Sequence, residues 1–232
     1  MKKNLAVITA RGGSKRIPHK NIKDFLGKPI IAYSIEAALK SNLFSEVMVS
    51  TDDSEIAKIA ERYGANVPFM RSAKNSDDFA TTEDVLREVL NEYKLRGKNF
   101  EWLCCLYPTA PFVTASKLIS AMQCLLSKNG CGGLVPVVKF SYPPQRGFII
   151  NDANYLEYKW KQYIRSRSQD LEPFYHDAGQ FYFYRADLLI NSLDDFLLHT
   201  IPFFVDELEV QDIDSLTDWK IAEMKYRLMN KI

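Results

Sequence analysis

Leu5-Ala6-Val7-Ile8-Thr9-Ala10-Arg11-Gly12-Gly13-Ser14-Lys15-Arg16-Ile17-Pro18-His19-Lys20-Asn21 passes from an apolar run, through a paired-glycine turn, into a basic cluster. Leu5 to Ile8 is apolar at every position, which suits a strand covered on both faces in a parallel sheet. Gly12 and Gly13 permit a tight turn and leave its amides open to phosphate oxygens. Arg11, Lys15, Arg16 and Lys20 add positive charge, and Ser14 adds a hydroxyl. The stretch reads as a loop that holds anions at the end of a buried strand. It is neither of two common phosphate loops. Gly27-Lys28 runs into Pro29 and lacks the earlier glycine of a P-loop, and one adjacent glycine pair does not make a dinucleotide fingerprint.

The size of the anion follows from the rest of the composition. The chain has 232 residues, with 30 Lys and Arg against 29 Asp and Glu, a net charge of +1. Near-neutrality argues against binding to bulk nucleic acid or a membrane surface, so the basic cluster serves something as small as a nucleotide. No apolar run reaches the roughly 18 residues of a membrane span, and Met1-Lys2-Lys3 leads into a short strand and then charges, unlike a cleavable signal. The expected location is the cytoplasm. Cys104, Cys105, Cys124 and Cys131 show no C-x-x-C spacing and read as buried thiols in a reducing compartment.

Further along, Pro29 marks a helix start, with Ile31, Ile35, Ala38 and Leu39 at helical spacing. A strand over Glu46 to Ser50, a helix bearing Ile56, Ile59, Ala60 and Tyr63 stopped by Gly64, and a third strand over Val67 to Met70 are expected next. Thr81 and Asp84 form a capping box for a helix with Val85, Val89 and Tyr93. Strands at Trp102 to Tyr107 and Leu134 to Val138 flank a helix with Leu118, Met122 and Leu125. This alternation predicts an α/β fold: a Rossmann-like, mostly parallel sheet with helices on both faces, in one domain spanning 1–232. The rhythm fails over 140–175, where Tyr142-Pro143-Pro144 and the aromatic and charged residues of Tyr155 to Tyr163 suggest an inserted β-rich arm that buries itself on a second subunit of a homodimer, with a flap folded back on its own chain as the alternative. The sheet resumes at Gln180 to Tyr184 and Phe203 to Val205, and Ser215 to Asp218 caps a last helix.

Ligands of such sheets sit beyond the carboxyl ends of the strands. The candidates there are Arg11 to Lys15, Thr51 to Asp53, Arg71, Tyr107 to Thr109 and the segment near Asp212. A spacing of two points Asp212 and Asp214 to one side of an extended segment, suiting Mg²⁺, although the same pair could serve the dipole of the helix that follows. His176-Asp177 has no serine or cysteine nucleophile arranged with it, and His19 reads as exposed.

The run Ala10 to Asn21 with Gly27-Lys28-Pro29 resembles the signature of the cytidylyltransferases that activate nonulosonic acids, the sialic acid-like sugars. Ser50-Thr51-Asp52, Arg71, Thr81-Thr82, Pro108-Thr109, Gly179 and Asp212-Ile213-Asp214 follow in family order. The resemblance implies joining of CTP to a nonulosonic acid, with Mg²⁺ held by Asp212 and Asp214. It further implies Arg11, Lys15 and Lys20 on the triphosphate. Ala10, Arg11, Gly12, Gly13, Ser14, Asn21, Arg71, Ala80 and Thr82 would surround the nucleotide, and Tyr107, Gln169, His176 and Gln180 the sugar. The stretches Leu106 to Val113, Arg167 to Pro173 and Tyr175 to Tyr182 depart from the N-acetylneuraminate enzymes, which carry Gln in place of Tyr107, and Arg and then Pro-Asn-Gly in place of His176 to Gly179. They single out one branch of the family, with legionaminate and N-acetylneuraminate synthetases as alternatives. A metal-dependent glycosyltransferase also fits the D-x-D of Asp212 to Asp214, and a nucleotide-binding regulator without turnover is a third possibility.

Overall fold

The computed structural model describes residues 3–191 and 199–232; Met1 and Lys2 of the charged N-terminus lie outside them. Its centre is a mixed sheet in which β1 (Asn4–Thr9) lies between β4 (Glu46–Ser50) and β5 (Trp102–Leu106), parallel to both. Beyond β5 come β10 (Phe181–Arg185), β6 (Gly133–Lys139) and β11 (Thr200–Phe204). β10 runs antiparallel to both of its neighbours, whereas β11 is parallel to β6. All strands on this path except β10 therefore share one direction, and the sheet is mostly parallel. Two minor strands, β2 (Asp24–Phe25) and β3 (Lys28–Pro29), form a tight hairpin ahead of the first helix.

The opening strand shows why its sequence is apolar throughout. Ala6 and Ile8 face a core built with α1 (Ile31–Ser41), α2 (Ser54–Arg62) and α4 (Ala115–Ser127). Leu5 and Val7 face the other core, built with α3 (Thr82–Leu95) and α5 (Ala186–Asn191). All four are fully buried, the Leu5, Val7 and Ile8 side chains each contributing about 1.5–3 kcal/mol of transfer free energy and the Ala6 methyl less. A third cluster joins Ile17, Phe25, Phe112 and Ile213 to Trp219 of α6 (Leu216–Asn230), tying the basic loop to the C-terminal helix. Both predicted capping boxes form, Thr81 with Asp84 and Ser215 with Asp218. Among the described residues no helix is long and apolar enough to cross a membrane.

Four expectations change. Val67 to Met70 is not a strand: only Asn66 bridges to Met48 before the chain rejoins β4 through the Arg71 amide on Thr51. Pro68 has no N–H with which to continue a ladder. Pro29 belongs to the small hairpin, and the helix begins two residues later. The arm is less β-rich than expected, with one short hairpin of β7 (Phe148–Ile150) and β8 (Leu156–Tyr158) among 3₁₀ turns; β9 (Tyr175–Asp177) leaves it to pair antiparallel with β6. Cys124 is exposed, while Cys104, Cys105 and Cys131 are buried free thiols.

Candidate active site

The carboxyl ends of β1, β4, β5 and β6 open on one rim. Because β10 is reversed, its beginning lies there as well, with Phe181 paired to Leu106, the last residue of β5. This reversal brings His176 to Gln180 to the rim, although they precede a strand.

The basic loop forms one wall of a cleft of about 410 Å³ lined by Thr9, Arg11, Ser14, Lys15, Arg16, Lys20, Asn21 and Tyr107 to Thr109. Gly12 is required by its neighbour: a Cβ there would lie 2.7 Å from Asp53 Oδ2 and 2.9 Å from Asp53 Cβ. Its amide donates to Asp52 Oδ1 at 2.9 Å. Gly13 faces open space, so the room at this turn is needed at one glycine and merely available at the other. Asn21, nearly buried, donates from Nδ2 to the Arg11 carbonyl at 2.9 Å and ties the two ends of the loop together.

The cations of the loop are held by acids. Arg11 Nη1 donates to Asp78 Oδ1 at 2.8 Å and to the Asp77 carbonyl at 3.0 Å, and Lys15 Nζ to Asp78 Oδ2 at 2.5 Å. Hydrogen bonds from Lys15 and Arg11 hold the Asp78 carboxyl below the usual aspartate value. Arg16 Nη2 meets Asp214 Oδ1 at 2.6 Å, and Lys20 Nζ donates to the Ile213 carbonyl at 2.7 Å. Ile213 is 1% exposed, so the carboxylates on either side of it are anchored by a core residue. Asp218 Oδ2 accepts from the amides of Asp214 and Ser215, fixing Asp214 at the helix entrance.

Asp212 opens instead on a second cleft, of about 530 Å³, with Tyr107, Lys139, Phe140, His176, Asp177, Tyr182 and Gln211 on its walls. Tyr107 lines both clefts and separates them. Burial raises the pKa of its hydroxyl, and its ring packs against that of Tyr182 with centroids 5.3 Å apart. Tyr182 in turn donates to the Asp177 carboxylate, at 2.7 Å to Oδ2. His176 and Asp177 are not an acid/base pair: His176 Nδ1 contacts the Asp177 carbonyl, and the Asp177 carboxylate takes Tyr182 and the Gly179 amide. Gln180 is buried behind this wall, with Nε2 on the Glu209 carbonyl and Oε1 without a hydrogen-bond partner among the described residues.

The remaining candidates are distributed unevenly. Arg71 is buried under the end of β4, with Nε on Ser50 Oγ at 3.0 Å, and loss of water pulls its pKa below the usual arginine value. Ala10 is buried at the end of β1, its amide on the Ser50 carbonyl. Ala80 lies on the far side of the 72–81 loop, where its amide donates to Asp77 Oδ1. Gln169 is exposed in the arm and lines neither cleft. Sequence reasoning passed over Asp78, Tyr182 and Lys139. The acidic pair Asp77-Asp78 in a loop bound for the rim was a usable signal for the first, while the other two depend on strand register.

A cation such as Mg²⁺ fits the donor set. Among the described residues no cluster of three or more His, Cys, Asp or Glu side chains could hold a metal. Mg²⁺, however, is usually taken by one or two carboxylates with water and phosphate oxygens. The Asp212 carboxylate has no hydrogen-bond partner among the described residues, and Asp214 keeps Oδ2 outside its contact with Arg16.

Comparison with known proteins bears on the family and the fold. Residues 5–200 match the family model described as cytidylyltransferase. The chain is 41% identical over 226 residues to the pseudaminic acid cytidylyltransferase of Campylobacter jejuni, covering 97% of each. It is 34% identical to the CMP-N,N'-diacetyllegionaminic acid synthase of Legionella pneumophila, covering 94% of each. The fold matches a CMP:2-keto-3-deoxy-manno-octonic acid synthetase solved with CTP, with a TM-score of 0.70 at 20% identity over 99% of this chain and 100% of that one. The branch singled out by the stretches around Tyr107, Arg167 and His176 is that of the pseudaminic acid enzymes. With most of its length matched by the family model and a relative at 41% identity, the chain belongs to the cytidylyltransferase family.

Proposed function

We propose that this cytidylyltransferase joins CTP to pseudaminic acid, giving CMP-pseudaminic acid and pyrophosphate, in the cytoplasm. The observation that carries the reading is the pair of clefts on either side of Tyr107, one lined by the cationic loop and the other, with polar groups such as Lys139, His176 and Asp212 among apolar ones, wide enough for a sugar. The identity of the sugar rests on the Campylobacter jejuni relative and on the residues of the second cleft.

In this scheme the triphosphate lies along Arg11, Ser14, Lys15 and Lys20, with the open amide of Gly13 beneath it. Cytosine sits towards Arg71 and Thr82. The sugar occupies the second cleft with its carboxylate towards Lys139 and its ring against Tyr107 and His176; Gln180 supports that wall from behind. The anomeric hydroxyl then attacks the α-phosphorus in line, and the chain's contribution is alignment and neutralisation of charge spreading over phosphate oxygens. Arg11, Lys15 and Lys20 stabilise charge on the departing pyrophosphate through charge-assisted hydrogen bonds. Bound Mg²⁺, held by Asp212 and Asp214, would neutralise phosphate charge and make the attacking hydroxyl more acidic.

The arm is the proposed dimer contact. It exposes Phe148, Ile149, Ile150, Tyr155 and Leu156 on one hairpin, an apolar surface unusual for a monomer. Deleting Asn151 to Tyr163 should halve the mass seen by light scattering, and an unchanged mass would remove the arm from the interface. For the reaction, pyrophosphate release is expected only when CTP and pseudaminic acid are both present. Equal release from CTP alone would overturn the reading.

A further inference from the structure

Asp78 stands where the triphosphate is expected. Its two carboxylate oxygens take one cation each, Arg11 at 2.8 Å and Lys15 at 2.5 Å, and both cations line the phosphate cleft. The arrangement does not serve the loop that carries Asp78. That turn is closed by Asp77, whose Oδ1 accepts from the amides of Phe79 and Ala80 at 2.9 and 2.8 Å. The helix that follows is closed by Thr81 and Asp84. The Asp78 carboxylate is thus spare for local structure, and its bonds of this kind reach across 63 and 67 residues to the phosphate loop.

We propose that Asp78 is an internal competitor for the triphosphate, an anionic latch that sets how tightly CTP and pyrophosphate are held. The proposal rests on the nucleotide reading of the first cleft. Both ion pairs are exposed, with the Asp78 side chain 47% accessible and that of Lys15 78%, and such pairs are weak. A triphosphate brings more charge than one carboxylate and displaces it. Once pyrophosphate has formed, the same carboxylate returns to Arg11 and Lys15 and helps it leave. The latch therefore lowers affinity for substrate and leaving group alike, and it ties the loop bearing Ala80 to the state of the phosphate site.

The test is calorimetric titration of inorganic tripolyphosphate, without metal, into the wild-type protein, Asp78→Asn and Asp78→Ala. Asp187→Asn, which breaks the Arg185 pair at the opposite end of the strands from the rim, controls for net charge. Both Asp78 variants are expected to bind tripolyphosphate roughly three- to tenfold tighter than wild type, and Asp187→Asn to match wild type. In turnover, KM for CTP and the inhibition constant for pyrophosphate should fall together while KM for the sugar stays put. Equal or weaker binding by the Asp78 variants would overturn the latch and leave the nucleotide site standing. Failure of every protein to bind tripolyphosphate or CTP would overturn both.

Discussion

The two clefts that meet at Tyr107 are built in opposite ways. Most of the cations of the phosphate cleft come from one stretch, Arg11 to Lys20, on a turn that Asn21 ties back on itself. The second cleft is assembled from the end of β6, the strand β9, the reversed start of β10 and the Asp212 segment, residues far apart in the chain. A triphosphate presents the same charges in every nucleotide, so a local, charge-dense loop suffices for it. A sugar is told apart by stereochemistry, which needs donors and acceptors placed from several directions. On the proposed reading, the first cleft speaks for the family and the second for the substrate.

The largest expected effect falls on the two carboxylates proposed to hold the metal. Asp214→Asn and Asp212→Asn should each lower kcat on the order of a hundredfold or more with the fold intact by circular dichroism, since a bound metal supplies several kcal/mol of charge stabilisation. Wild-type turnover in either variant would remove that carboxylate from the reaction. Next come the loop cations. Arg11→Ala should raise KM for CTP roughly tenfold by losing a charge-assisted contact, and KM for the sugar should stay constant. Movement of both constants together would merge the clefts into one site. Lys139→Ala and Tyr107→Phe are expected to do the converse, raising KM for the sugar by roughly three- to tenfold through loss of one hydrogen bond or ion pair. The smallest effect is assigned to Gln169→Ala, within about twofold on both constants, as usual for an exposed residue outside the clefts. A larger loss would mean that the arm of a second subunit completes the sugar cleft.

Much of this contrast was legible in the sequence. Hydrophobic periodicity and two capping boxes place the parallel core and α3 and α6, because each depends on neighbours within a few residues. The basic loop was readable for the same reason. Val67 to Met70 misled because an apolar stretch beside β4 meets the sheet only at its ends, around Pro68. The reversal of β10 was hidden, since nothing in Phe181 to Arg185 records the direction of its neighbours, and with it went the reason why His176 to Gln180 reach the rim. Asp78 was missed because its partners lie more than 60 residues away. Gln169 was included on resemblance alone, and an exposed turn in the arm carries it away from both clefts of its own chain.

The most direct test of the assignment offers the enzyme CTP and Mg²⁺ with equal amounts of pseudaminic, legionaminic and N-acetylneuraminic acids in one vessel and weighs the CMP-sugars by mass spectrometry. CMP-pseudaminic acid should dominate the early products. Dominance of CMP-N-acetylneuraminic acid or CMP-legionaminic acid would contradict the reading of the second cleft.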